Sequence, residues 1–344
     1  MALTRRAFLH RASSLLASLG ISEASLSLLG NQYQQALAQP TRRKLALLVG
    51  INQYRATQMP ALAGCLTDVD LQRELLRYRF HFQDSDILVL TNQDATRNNI
   101  ETAFISHLVE QVRPGDVVVF HFSGYGRHIR LPVRDGTSLA RLEQNTLIPV
   151  DGGVPSNPAL SKVEDLLEDT LFLLLRSLQT EQITTIIDAG STYPDSAWQG
   201  NLQIRARPEP IEVVEPAVTE VALQEQLMGS MDVSREQLTA QLRSRQLPGV
   251  VLAAAGPGAL ATEAHWPGFN AGLFTYALTQ HLWSTTPAAL QISFSQTTSS
   301  VQQFAGKEQP ELSGQKRQGL LPAYNLSPGS GAEGAVIAIA NNGK

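Results

Sequence analysis

At 344 residues, 43% apolar and 17% charged, the chain is long enough to bury one large α/β domain or two small ones. A formal charge of -4, with Lys and Arg scattered along the chain, leaves no basic face for a phosphate backbone and argues against nucleic acid as a partner. The single cysteine, Cys65, excludes an internal disulfide framework and any Cys-rich zinc site.

At the N-terminus, TRRAFLHRA (residues 4–12) sets Arg5 and Arg6 ahead of Phe8 and Leu9, and a mildly apolar stretch follows. The pattern is similar to a twin-arginine export signal over residues 1–38, with Ala36-Leu37-Ala38 before Gln39 as the candidate cleavage site. Glu23 interrupts the apolar region, which leaves an amphipathic helix kept in the cytosol as the other reading. The expected destination is the periplasm, or the thylakoid lumen in a photosynthetic bacterium. No later stretch approaches the ~20 apolar residues needed to span a bilayer, so no stable membrane span is expected.

LALLVGI (45–51) is a continuous apolar run without alternation, as expected of a strand covered on both faces. DVDLQRELLRYRF (68–80) then spaces Leu71, Leu75, Leu76 and Phe80 as a helix, and DILVLT (86–91) is a second short strand. In the next helix Ile100, Phe104, Leu108 and Val112 share one face, with Thr96 as its cap. RPGD (113–116) stops that helix and leads into VVVFHFSGYGRH (117–128), a buried strand that ends in a glycine-rich turn. Such alternation predicts a right-handedly wound parallel sheet.

Residues 130–153 read as a loop with short extended pieces. Ser161 and Glu164 form a capping box for a helix over 165–178, and QITTIID (182–188) is another buried strand. Pro208, Pro210 and Pro216 interrupt a stretch read as a linker, residues 201–232. Beyond it, Ser234 and Gln237 cap a helix, GVVLAAA (249–255) is a strand and GLFTYALTQHLW (272–283) a helix. The tail, 327–344, reads as the possible start of a truncated domain.

The succession LALLVGINQY, LAGCLTDV, LTNQDATRNNI, PGDVVVFHFSGYG, NTLIPVDG, TTIIDAGS and GLFTYALTQHL resembles the bacterial metacaspases, or orthocaspases, of the caspase superfamily. The resemblance runs over residues 44–314. It implies an α/β fold: a caspase-like three-layer sandwich, with a mostly parallel sheet and helices on both faces. The large-subunit region would be 42–200 and the small-subunit region 233–326.

In active members of that family the strand end matching HFSGYG reads His-Tyr-Ser-Gly-His-Gly, and its second histidine is the general base. The end matching IIDAGS reads Asp-Cys-Cys-His-Ser-Gly, and its second cysteine is the nucleophile. Here those positions hold Tyr125 and Gly190. Acyl transfer by this route needs a thiolate activated by an imidazole; glycine has no side chain, and a tyrosine with an ordinary pKa near about 10 is a poor base. The resemblance therefore implies a pseudopeptidase with no catalytic residues, in which Tyr125 is a retired catalytic position.

Other features of the cleft follow from the same resemblance. The oxyanion donors would be the backbone N–H groups of Gly126 and Gly190. Asp188 fits either a retained acidic pocket or an Asx-type turn, and Ser123, Ser191 and His128 complete a candidate residual cleft. AAAGPGALATE carries Ala253, Ala255, Gly258 and Ala259 where active members have polar groups, which puts binding of Arg or Lys peptides in doubt. Arg205 and Arg207 are available between the two halves, where active members cut themselves, but without a nucleophile no self-processing is expected.

Cys65 reads as a packing residue, and His121, inside its strand, as a core histidine or, less simply, a functional one. The alternative to a pseudopeptidase is a hydrolase that works on Arg or Lys peptides through Ser191 or His128, which would need a new base geometry. No metal is expected, since no H-E-x-x-H spacing occurs; calcium is implied by the resemblance alone. Expected partners are a peptide or a protein bound in the cleft, an active paralogue being one candidate, and the chain is expected to be a monomer. An export-targeted fold that binds nothing is the third reading.

Overall fold

Leu45, Leu47 and Val49 face one hydrophobic core while Ala46 and Leu48 face another, and Val118, Phe120 and Phe122 alternate with Val117 and Val119 in the same way. A strand apolar on both faces must lie between two layers, so these runs form the centre of a sandwich. The computed structural model describes residues 43–132, 142–152, 162–194, 196–210, 213–231, 234, 247–266, 268–284 and 310–313. The twin-arginine stretch with Arg5 and Arg6, the helix expected at Ser234 and Gln237, and the 327–344 tail therefore lie outside or almost outside the described residues.

The first half of the chain runs β1 (Lys44–Gly50), α1 (Cys65–Phe80), β2 (Ile87–Thr91), α2 (Arg97–Ala103) and β3 (Val117–Ser123). Thr96 caps α2 as expected, its Oγ1 accepting from Asn99 N at 3.2 Å. The helix then continues as a π-helical stretch, Phe104–Val109. A side ribbon follows, with β4 (Gly126–Leu131) antiparallel to β5 (Leu142–Leu147); β6 (Lys162–Val163) lies apart from it, and β7 (Leu166–Leu167) pairs with β5.

Next come α3 (Glu168–Arg176), β8 (Gln182–Asp188), β9 (Trp198–Gln199), β10 (Leu202–Ile204), β11 (Glu215–Pro216), which pairs with β6, and α4 (Val218–Met231). The chain closes with β12 (Val250–Ala253), β13 (Thr262–Trp266), β14 (Phe269–Gly272), α5 (Leu273–Ser284) and β15 (Glu311–Ser313). The main sheet has the order β15-β12-β8-β3-β1-β2. All its pairings are parallel except β12 with β15. Phe80 of α1 with Phe274 and Leu278 of α5 packs one face; Phe104, Leu171 to Leu175, Leu227 and Met228 pack the other.

Two expectations change. The helix read from Ser161 and Glu164 starts only at Glu168, with Leu167 before it and no side-chain cap. Asp165 is taken up instead by Arg127, whose Nε and Nη2 donate to its carboxylate at 2.5 and 2.6 Å, and Leu166 and Leu167 join β5. The stretch read as a linker, 201–232, carries β10, β11 and the 14-residue helix α4. Pro208 and Pro210 sit between β10 and β11, and Pro216 ends the two-residue β11.

Candidate functional site: a cleft filled by the chain's own arginine

Strands β3 and β8 end side by side, Ser123 in register with Asp188, so Tyr125-Gly126 and Ala189-Gly190 share the carboxyl end of the sheet. Catalytic and binding groups of open parallel sheets gather at such ends. Across this one lies another piece of the same chain. β10 pairs antiparallel with β13, Gln203 opposite Glu263, and Arg205 N prolongs the ladder by donating to Ala261 O at 2.8 Å. On its other side the Arg205 carbonyl accepts from Gly190 N at 2.9 Å and Gly126 N at 3.3 Å, and Arg207 N donates to Gly126 O at 2.8 Å. Residues 202–207 thus lie in the cleft as an added strand, and the two N–H groups expected to hold an oxyanion hold the Arg205 carbonyl.

The Arg205 side chain is wholly buried. Its Nη1 lies 2.7 Å from Asp68 Oδ2 and 3.0 Å from Asp188 Oδ1, and donates to Ser123 Oγ at 2.8 Å; its Nη2 donates to Glu263 Oε2 at 3.0 Å. The three carboxylates are themselves buried and held from behind. Ser123 Oγ donates to Asp68 Oδ2 at 2.7 Å, and Gly272 N to Asp68 Oδ1 at 2.9 Å. Thr275 donates to Asp188 Oδ2 from its N–H at 3.0 Å and its hydroxyl at 2.6 Å, while Ala63 N and Gly64 N donate to Glu263 at 2.7 and 3.1 Å. Gly64 and Gly272 keep the room free, since a Cβ on either would collide with the guanidinium.

Three buried carboxylates without a cation would be severely destabilising. Burial alone would lower the Arg205 pKa, but Asp188 and Asp68 outweigh it and hold the guanidinium well above its ordinary value. Burial pushes Asp68 up, to about 6, with the Asp188 charge adding and Arg205 opposing. Burial would also raise Glu263, but the His265 hydrogen bond and Arg205 prevail and lower it.

Tyr125, at the position of the family's general base, is buried and tied into the cleft by contacts of its own. Its hydroxyl donates to Pro60 O at 3.1 Å and accepts from Gln203 Nε2 at 3.1 Å, its ring tilts against Tyr54 at 5.2 Å, and the Arg207 guanidinium lies 5.5 Å from its ring centroid. Burial pushes its hydroxyl up to about 12, the wrong direction for a base. At Gly190 a Cβ would lie 3.2 Å from the Ala261 Cβ and 3.6 Å from the Ala206 Cβ, so a side chain there would stand beside the Arg205–Ala206 bond. At Gly126 a Cβ would meet the Gly190 carbonyl at 2.6 Å, which forbids one.

The remaining candidates are scattered. Asp188 makes no local Asx turn; its oxygens go to Arg205 and to the start of α5. Ser191 lines a cavity of about 150 Å³ with Gly190, Asn145 and Glu311. The His128 imidazole, on β4, engages Asn145 at 3.2 Å and Glu143 at 3.8 Å. His121 is buried with both ring nitrogens unpaired among the described residues, and burial lowers it to about 3. Cys65 is buried at the start of α1, and burial raises its thiol far from the reactive range. Glu263, at the end of the alanine-rich segment, supplies the third carboxylate around Arg205, a polar group that the reading of that segment did not weigh. Among the described residues no cluster of His, Cys, Asp or Glu is arranged to hold a metal ion.

Residues 43–321 match the caspase domain family, Peptidase_C14. The chain belongs to that family. Metacaspase-2 of Arabidopsis thaliana is 37% identical over 115 residues, which is 32% of this chain and 26% of that protein. Metacaspase-1 of Mycosarcoma maydis is 37% identical over 130 residues, 36% of this chain and 30% of that protein, so either match spans under a third of the relative. Among solved structures, a Geobacter sulfurreducens protein aligns at a TM-score of 0.48 with 15% identity, over 79% of this chain and 94% of that one. Caspase-1 of Spodoptera frugiperda aligns at 0.41 with 11% identity, over 80% and 88%. The caspase-domain assignment agrees with the α/β sandwich and its mostly parallel sheet.

Proposed function

We propose that the chain is an exported, catalytically silent pseudopeptidase of the caspase-domain family, whose cleft binds an extended peptide segment of a partner protein. The observation that carries this reading is the Arg205–Ala206 bond. Its arginine sits in an acidic pocket and its carbonyl on two backbone N–H donors, yet the positions that should attack and shuttle protons hold Gly190 and Tyr125. Peptide recognition by strand addition needs only backbone groups and a side-chain pocket, and both are present. Catalysis needs a nucleophile and a base, and neither side chain is.

The test is a peptidase assay with fluorogenic Arg and Lys peptides, with and without calcium, on the wild type and on the Tyr125→His, Gly190→Cys double variant. A silent wild type beside a cleaving variant is the expected result. Turnover by the wild type that a thiol-blocking reagent does not stop would defeat the reading and make Ser191 the first residue to replace. Export is supported by Arg5 and Arg6; a reporter fused behind residues 1–38 should leave the cytosol, and replacing both arginines by lysine should retain it.

A further inference from the structure

We infer that residues 202–207 are a resident ligand that occupies the cleft in cis, and that Tyr125, in the position of the lost base, clamps it there against arginine peptides supplied in trans. The inference rests on the reading of the cleft as a peptide site and names its ligand class and its control.

The segment is bound on every side that an extended peptide offers. Its backbone pairs with β13 through Leu202, Gln203, Ile204 and Arg205, and with Gly126 and Gly190 through Arg205 and Arg207. Its side chains alternate in use. Gln203, Arg205 and Arg207 meet Tyr125, the acidic pocket and the Tyr125 ring, while Ile204 and Ala206 pack with Leu260 and Tyr193. Gln203 also presents its Oε1 to His265 Nε2 at 3.2 Å and donates to Ala61 O at 2.9 Å. The Tyr125 hydroxyl joins the segment to the Pro60 carbonyl, accepting from Gln203 and donating to Pro60 O.

A ligand tethered through β9 and the following turn has an effective concentration in the millimolar range, so a free peptide of equal affinity is excluded at micromolar concentration. Loosening the clamp should open the site. The trans ligand it would then accept is an extended peptide with arginine in the acidic pocket and glutamine two residues earlier.

The test uses the full chain and the synthetic peptide Leu-Gln-Ile-Arg-Ala-Arg, fluorescently labelled. Wild type should bind it weakly, and the Gln203→Ala, Arg207→Ala double variant, which loosens the resident segment but leaves Tyr125 for the incoming peptide, at least about tenfold more tightly. Trypsin supplies a second readout: the bond after Arg207 is blocked by Pro208, so a new cut after Arg205 reports release of the segment. It should appear in the double variant and not in the wild type. In Arg205→Ala, whose empty pocket lowers stability, the peptide should raise the melting temperature by about 5 °C, and a citrulline-for-arginine peptide should not.

Equal peptide binding by wild type and double variant, or an unchanged trypsin pattern, overturns the clamp. Equal melting shifts with arginine and citrulline peptides overturn the pocket as its anchor. The proposal and the reading beneath it fail separately. Peptidase activity of the wild type would end catalytic silence without altering these binding results, and free access of the peptide to the wild type would end the latch while silence stood.

Discussion

Two buried arginines of this chain keep different company. Arg127 on β4 lies flat against Asp165, and Thr146 Oγ1 donates to the same carboxylate at 2.6 Å. Its partners come from the side ribbon and the loop beside it, and the pair braces that ribbon. Arg205 faces Asp68, Asp188 and Glu263, drawn from α1, β8 and β13, with its carbonyl on two further N–H groups. Among the described residues Arg127 meets one carboxylate, whereas Arg205 is surrounded by three. Three wholly buried carboxylates converging on one point at the mouth of the sheet are what a pocket built to receive a cation looks like.

The sharpest way to separate the two is to restore the missing chemistry. Tyr125→His with Gly190→Cys puts a thiol beside the Arg205–Ala206 bond, whose carbonyl already rests on the two N–H donors. We expect the purified double variant to cut itself after Arg205 and nowhere near Arg127, read by intact mass. A chain that stays whole while cleaving peptides in trans would show that residues 202–207 are not held as a substrate is.

Removing either arginine should cost about 3–5 kcal/mol in denaturant unfolding, because each leaves buried charge uncompensated. The pH dependence should then tell them apart. In the wild type Asp68 titrates at about 6, above the ordinary carboxylate range because of burial. Between the ordinary carboxylate pKa and that value the native state binds more protons than the unfolded chain, so this contribution to stability is fully present in acid and lost as pH rises through about 6. Arg205→Ala exposes three carboxylates to the same penalty, whereas Arg127→Ala exposes Asp165. Between about pH 5 and pH 8, Arg205→Ala should lose stability more steeply than Arg127→Ala. Equal slopes would mean that the acidic cage is no different from the brace.

The strands were legible because continuous apolar runs such as 45–51 permit little else, and Tyr125, Gly190 and Asp188 stood out by their place at strand ends. Glu263 was not legible. Nothing local marks a carboxylate among alanines as part of a pocket, since apart from His265 its partners arrive from residues 63, 64 and 205. Arg205 reads as a cleavage candidate, but the prolines that follow make its segment read as linker. A signal was present: Leu202, Ile204 and Ala206 alternate with Gln203, Arg205 and Arg207 in the period of a strand. Three residues of ladder are too few to outweigh a proline-rich composition when read alone. The role of Tyr125 is a tertiary fact, set by Gln203 and Arg207 reaching it from 78 and 82 positions away in the chain.

The smallest effect compares two hydroxyls that serve the two arginines in matching ways. Thr146 Oγ1 donates to Asp165, and Ser123 Oγ donates to Asp68 while accepting from Arg205 Nη1. Thr146→Ala removes one donor from a carboxylate that keeps its guanidinium, a loss of about 1 kcal/mol. Ser123→Ala removes a donor from Asp68 and an acceptor from Arg205 at once, and leaves Asp68 less able to carry its charge, so its loss should be nearer about 2 kcal/mol and should grow as the pH is raised. Urea unfolding at acid and alkaline pH measures both. If Ser123→Ala proves no costlier than Thr146→Ala at either pH, the serine is a bystander, and the carboxylates alone hold Arg205 in the cleft.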